Sequence, residues 1–113
     1  MKCRIILELL AILFFTGCYN REQISRLDEA EALIQNKPDS ALTILQQLKS
    51  EGSQAEQARY ALLYSEALDK NHIKATNDSL IRRAWEYYKH HPKDLRRQCK
   101  TLYYWGKVKL RAG

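Results

Sequence analysis

Residues 27–48 read LDEAEALIQNKPDSALTILQQL, two apolar stripes at helical spacing with a proline between them. With Ile24 added, Leu27, Ala30 and Ile34 recur every three or four positions, and Ala41, Leu42, Leu45 and Leu48 do the same after the break. Such spacing puts each set on one face of an α-helix. The break itself, Asn36, Lys37, Pro38 and Asp39, predicts a turn. Pro38 cannot continue a helix with its amide bonded, and Asp39 or Ser40 can cap the helix that follows. The stretch therefore predicts two helices folded back on each other.

Downstream the helical spacing continues. Ala58, Ala61, Leu62, Ser65 and Leu68 form a third stripe, whose small side chains let a neighbouring helix approach closely. Lys70 to Asn77 predicts a connection, and Asn77 or Asp78 can cap a fourth helix carrying Leu80, Ile81, Ala84, Trp85 and Tyr88, closed by Pro92. A fifth stripe, Cys99, Leu102, Tyr103, Gly106 and Leu110, reaches almost to Gly113. No alternating apolar and polar run argues for a strand. The 113 residues, 45% hydrophobic and 28% charged with only 4 Gly and 2 Pro, hold one domain at most. The fold class is all-α, with helices one to four as two consecutive pairs.

The chain begins differently. Met1 to Arg4 is basic, Ile5 to Phe15 is the densest apolar run in the sequence, and the chain turns polar after Cys18. An apolar core of that length reaches about 16 Å as a helix against roughly 30 Å of bilayer hydrocarbon, so a removable export leader fits better than a span. Phe15, Thr16, Gly17 and Cys18 resemble the bacterial lipobox, in which small residues enter a narrow protease cleft and the cysteine thiol accepts diacylglycerol. The resemblance implies a lipoprotein: residues 1–17 a cleaved signal peptide, Cys18 the lipidated N-terminus and membrane attachment, 18–24 an anchor linker, and 25–113 the helical domain. The address it implies is the bacterial cell envelope, on the periplasmic side or at the surface. Cys3 leaves with the leader, so Cys99 is the free thiol of the mature chain. It lies in an apolar stripe without His or Cys at ligand spacing and reads as a buried structural thiol.

Leu102, Trp105, Gly106 and Gly113 fall at the spacing of the first-helix pattern of the tetratricopeptide repeat family, with Lys109 where Tyr is usual. Ala61, Tyr64, Ser65 and Leu68 repeat the relative spacing upstream. Ala41 and Leu45 resemble the small and bulky positions of the family's second helix, and Pro92 its terminal proline. Taken with the lipobox, 27–48, 58–71 and 78–88 resemble the N-terminal part of repeat lipoproteins of gut-type Bacteroidetes. The resemblance implies a helix-turn-helix array of about two and a half repeats; a plain helical bundle is the alternative that periodicity leaves open. A repeat buries its face only against a neighbour, so the aromatic face around Tyr103 and Trp105 is expected to lack a cover. The chain is accordingly expected to be truncated relative to longer relatives, and marginally stable or self-associating through the helix at 95–111.

Charge is asymmetric. Arg82 to Arg111 holds 10 Lys or Arg against Glu86 and Asp94, whereas Tyr19 to Ile81 holds 10 acids against 7 bases. Basic residues interleaved with Trp85, Tyr87, Tyr88, Tyr103, Tyr104 and Trp105 raise a nucleic-acid reading. Those aromatics sit at helix-packing positions without a known binding motif, so no nucleic acid is expected. Attraction to anionic lipid is a further reading. Chemistry has little to work with: His90 and His91 point about 100° apart on a helix, His72 is alone, and no phosphate loop or nucleophile signature is present. No catalytic residue, metal or cofactor is expected. The leading expectation is a non-enzymatic, membrane-anchored scaffold for an unidentified protein or peptide partner, with Tyr60, Tyr64, Tyr87 and Tyr88 as the candidate face. A fragment with an assembly role and a basic nucleic-acid module are the alternatives.

Overall fold

The computed structural model describes residues 21–112, all of whose regular elements are α-helices. Helix α1 covers 21–33, α2 Pro38–Gln47, α3 Gln54–Lys70, α4 Ser79–Tyr88 and α5 Leu95–Ala112. The leader and Cys18 lie outside the described residues. Residues 21–24, expected as linker, are helical: Gln23 is buried, and its Nε2 donates to the Lys49 carbonyl at 2.9 Å, tying α1 to the end of α2.

Local chemistry sets the helix ends. Pro38 opens α2 in its first turn, where its missing amide has no intrahelical partner to lose. Lys37, not Asp39 or Ser40, holds the cap position, and no side chain caps this end; Asp39 lies two residues on, in the first turn, where its charge favours the helix N-terminus. Ser53 caps α3 by accepting from the Glu56 amide at 3.2 Å. Gly52 before it has φ +95°, and the Glu56 carboxylate fills the space a Cβ would need, so no other residue fits there without strain.

At the far end of α3, the Ile73 amide donates to the Leu68 carbonyl at 2.9 Å and the His72 amide to Asp69 at 3.0 Å. This is a Schellman closure, and His72 occupies its left-handed position at φ +60°. Asn71 Nδ2 donates to both Ala67 and Pro38 carbonyls, joining the end of α3 to the start of α2. At α4 the Asn77 side chain accepts from the Ser79 amide, while Asp78, in the cap position, turns its carboxylate to Arg82 and Trp105.

Two apolar clusters form the core. Leu27, Ala30 and Ile34 meet Ala41, Leu42, Ile44 and Leu45 of α2, and Leu63 and Ala67 of α3 close that cluster. On the other side of α3, Ala58, Ala61 and Leu62 meet Ile81, Ala84 and Tyr88 of α4 and Tyr104 of α5. Each fully buried Leu or Ile contributes about 2 kcal/mol. The small residues of α3 let its neighbours pack closely on both sides, as their spacing predicts.

The helices stack in chain order. Helix α2 packs on α3, α3 on α4 and α5, and α4 on α5, whereas α2 meets neither α4 nor α5. Polar contacts join the odd-numbered helices directly: Arg59 of α3 reaches Asp28 and Glu31 of α1, and Lys100 and Lys107 of α5 reach Glu66 and Asp69 of α3. Partner numbers rise together between α3 and α5, and likewise from Asp28 and Glu31 against Arg59 to Gln35, just past α1, against Glu66, so α1, α3 and α5 run parallel. The even-numbered helices return antiparallel behind them.

Candidate interaction surface

Within the basic C-terminal third, the cations of α5 largely meet acids from earlier in the chain. Helix α5 carries Arg96, Arg97, Lys100, Lys107, Lys109 and Arg111 and no acid. Arg97 pairs with Glu31 at 3.5 Å, Lys100 with Glu66 at 3.0 Å, Lys107 and Arg111 with Asp69 at 2.9 and 3.1 Å, and Lys109 with Asp78 at 3.6 Å. The acids supplied by α1, α3 and Asp78 thus answer the asymmetry seen in the sequence. Burial pushes the Glu31 carboxyl up, but the hydrogen bond and charge of Arg59, with Arg97 and Arg96 behind, outweigh it and hold it below the usual range. The Asp69 hydrogen bond raises the Lys107 ammonium, and hydrogen bonds from Arg82 and Trp105 lower Asp78.

The four tyrosines do not form one face. Tyr88 is 2% exposed and belongs to the second cluster, so it offers no surface to a partner; its ring lies edge-on to Tyr87 at 5.1 Å. Burial is also what pushes its hydroxyl up to about 12. Tyr60 and Tyr64 are half-buried against the first cluster and pack edge-to-face at 5.6 Å. They lie on the α2 side of α3, away from the α4 side that Tyr87 and Tyr88 occupy.

Tyr87 opens instead onto a groove of about 670 Å³ lined by Ser50, Gln54, Gln57, Arg83, Glu86 and both His90 and His91. The His91 ring stacks on Tyr87 at 3.9 Å, with Nδ1 2.7 Å from the Tyr87 carbonyl, an arrangement in which Nδ1 donates. Among the described residues no three of His, Cys, Asp and Glu come together as a metal site.

The most distinctive surface is on α5. Its expected apolar stripe is the exposed face: Leu102 is 48% exposed, Tyr103 57% and Leu110 83%, with Cys99 and Gly106 exposed as well, and Leu95, 62% exposed, extends it at the N-terminal end. Cys99 is therefore not the buried thiol its stripe predicted. The helix packs through Thr101 and Tyr104, backed by Trp105 and Val108, and the neighbouring Glu66 and Asp69 hold Lys100 and Lys107 toward the same side. At 100° per residue the six outer residues fall within a sector of about 100°. Nothing lies within 4 Å of where a Gly106 side chain would begin. A second apolar face on a helix already packed by its first could have been read from the sequence by plotting both.

No described helix is long and apolar enough to cross a membrane. Comparison of the chain with family models, with curated proteins and with solved structures finds no match.

Proposed function

We propose that this protein is a non-catalytic helical-repeat scaffold, held at a bacterial envelope membrane by lipid on Cys18 and serving to bind another protein. The observation that carries the reading is the stack itself: two helix hairpins and a fifth helix, packed in chain order, with an apolar face of α5 exposed among the described residues. On this reading α1–α2 and α3–α4 are two tetratricopeptide-like units, and α5 is the first helix of a third. Ser65 and Gly106 are then equivalent small positions, since Ala61, Tyr64 and Ser65 stand at the same relative spacing as Leu102, Trp105 and Gly106. Function by surface presentation is the usual use of such scaffolds, an analogy at the level of fold.

A nucleic-acid module would present a continuous stripe of unpaired cations, whereas five of the six on α5 stand in ion pairs, with Lys109 at 3.6 Å the loosest and most exposed of them. The anchor is tested by metabolic labelling with a radioactive lipid precursor. The wild-type chain takes up label and fractionates with membranes, and Cys18→Ser does neither; an unlabelled wild type overturns the anchor.

A further inference from the structure

We infer that the outer strip of α5 is a docking seat for an acidic amphipathic helix of a partner protein. The inference names the partner chemistry for the scaffold proposed above and rests on that reading. Leu95, Cys99, Leu102, Tyr103, Gly106 and Leu110 make a continuous apolar strip about 22 Å long on a helix whose opposite side is already packed. A helix that is apolar on both faces is one that is covered on both faces. Gly106, with open space above it, lets a partner backbone come close at the middle of the strip.

Charge selects the occupant. The strip is edged by exposed Arg96 on one side and Lys109, 63% exposed, on the other, and α5 has no acidic residue. Three of the carboxylates that face α5 are shared, Glu31 between Arg59 and Arg97, Asp69 between Lys107 and Arg111, and Asp78 between Arg82 and Lys109, while Glu66 is matched by Lys100. Arg96 stands outside these pairs and Lys109 shares its Asp78 with the closer Arg82, so the rim stays net positive. A second copy of α5 would set Arg96 and Lys109 against their own kind, which disfavours the self-association expected from the sequence. A helix whose apolar stripe is flanked by Glu or Asp answers both the strip and its rim, as α1 and α3 answer the inner side. The close approach at Gly106 favours a helix over a lipid surface.

The test uses the full chain reconstituted in phosphatidylcholine nanodiscs, and a fluorescent helical peptide with Leu and Ala on one face and Glu on its flanks. The peptide binds saturably, one per chain, and more weakly as salt is added. A counterpart with Lys at every Glu binds at least about tenfold more weakly. Leu102→Glu and Leu110→Glu, both at exposed positions, each reduce binding of the acidic peptide by about tenfold or more with helix content unchanged. Ile24→Glu, also exposed but on α1, leaves it intact. Absent binding of the acidic peptide, or equal binding of the lysine version, overturns the proposal. The other covers then declare themselves: a membrane as shielding of Cys99 from thiol reagent in phosphatidylglycerol discs, and a second copy as a dimer lost in Leu110→Glu. Any of these failures leaves the lipid labelling of Cys18 untouched, so the two readings fail separately.

Discussion

The ammonium of Lys100 on α5 lies 3.0 Å from Oε2 of Glu66 on α3, a carboxylate that is 1% exposed. That oxygen takes no aligned hydrogen bond, so the Lys100 charge is what balances it, while Gln35 Nε2 donates to Oε1 at 3.4 Å. Lys100→Met leaves a buried charge without its partner and destabilises the fold by about 2 to 3 kcal/mol, the partial exposure of Lys100 softening the loss. Adding Glu66→Gln restores much of it, because the orphaned charge is gone. Denaturant melts of both single variants and the double check this, and simple additivity would refute the coupling.

His72 pays a conformational penalty that glycine would not, because its left-handed backbone crowds the Cβ against the carbonyl that follows. Its amide bond to Asp69 belongs to the backbone and survives any substitution other than proline. His72→Gly is expected to raise stability by about 1 kcal/mol. A lower thermal midpoint for this variant would mean that the imidazole contributes more than the strain removes.

Stability falls at both extremes of pH. Tyr88 ionises near 10.0 when unfolded and at about 12 in the fold, raised by burial, with Arg97 opposing and Asp94 and Tyr87 adding to it. Its neutral form is the one the core accepts, so its contribution is intact below the unfolded value and disappears as pH rises through the folded one. At the acid end, Glu31 is held below its ordinary 4.5, so its contribution is present above that value and lost as pH falls through the lowered one. Urea midpoints followed from neutral to about pH 12 should drop late for the wild type and less for Tyr88→Phe. Identical alkaline profiles would remove Tyr88 as the cause.

Exposure makes Cys99 a chemical reporter for α5. With Cys3 and Cys18 replaced by Ser, the native chain should react with a disulfide reagent at the rate of an open thiol, without denaturant. Reaction only after unfolding would place the strip against a cover already present in the chain.

The helices and the turns between them were legible because residues 27–48 and 58–88 each bury one side at helical spacing: Leu27, Ala30, Ile34, Ala41, Leu45, Ala58, Ala61, Leu62, Ile81, Ala84 and Tyr88 are all buried where their stripes put them. Helix α5 misled because it has two apolar faces, and the one with more leucine is outside. Its inner side buries Tyr104 and sets Lys100 and Lys107 against Glu66 and Asp69, and pairing across tens of residues leaves no periodic trace. The tyrosines misled for the opposite reason. Tyr60 and Tyr64 share a face of α3, and Tyr87 and Tyr88 adjoin on α4, but α3 is packed on two sides and sends the pairs apart. Ser53 and Asn77 act within three residues of themselves; only Asn77 was anticipated, and Ser53 stands in a Ser-x-x-Glu spacing that was there to be seen.

The two apolar clusters have one helix in common, α3, with Leu63 and Ala67 on one side and Ala58, Ala61 and Leu62 on the other. Loosening α1 and α2 therefore strips one flank of α3 while the other keeps it helical, and detaching α4 and α5 does the converse. Only opening of the entire molecule frees its amides. The slowest-exchanging protons of this small domain should then line a single interior helix, with partial openings on either side coupled only by the Glu31–Arg97 pair and by α3 itself. Two binding events, one at each end of the molecule, would reach each other through that helix and through the Glu31–Arg97 pair that bridges α1 and α5.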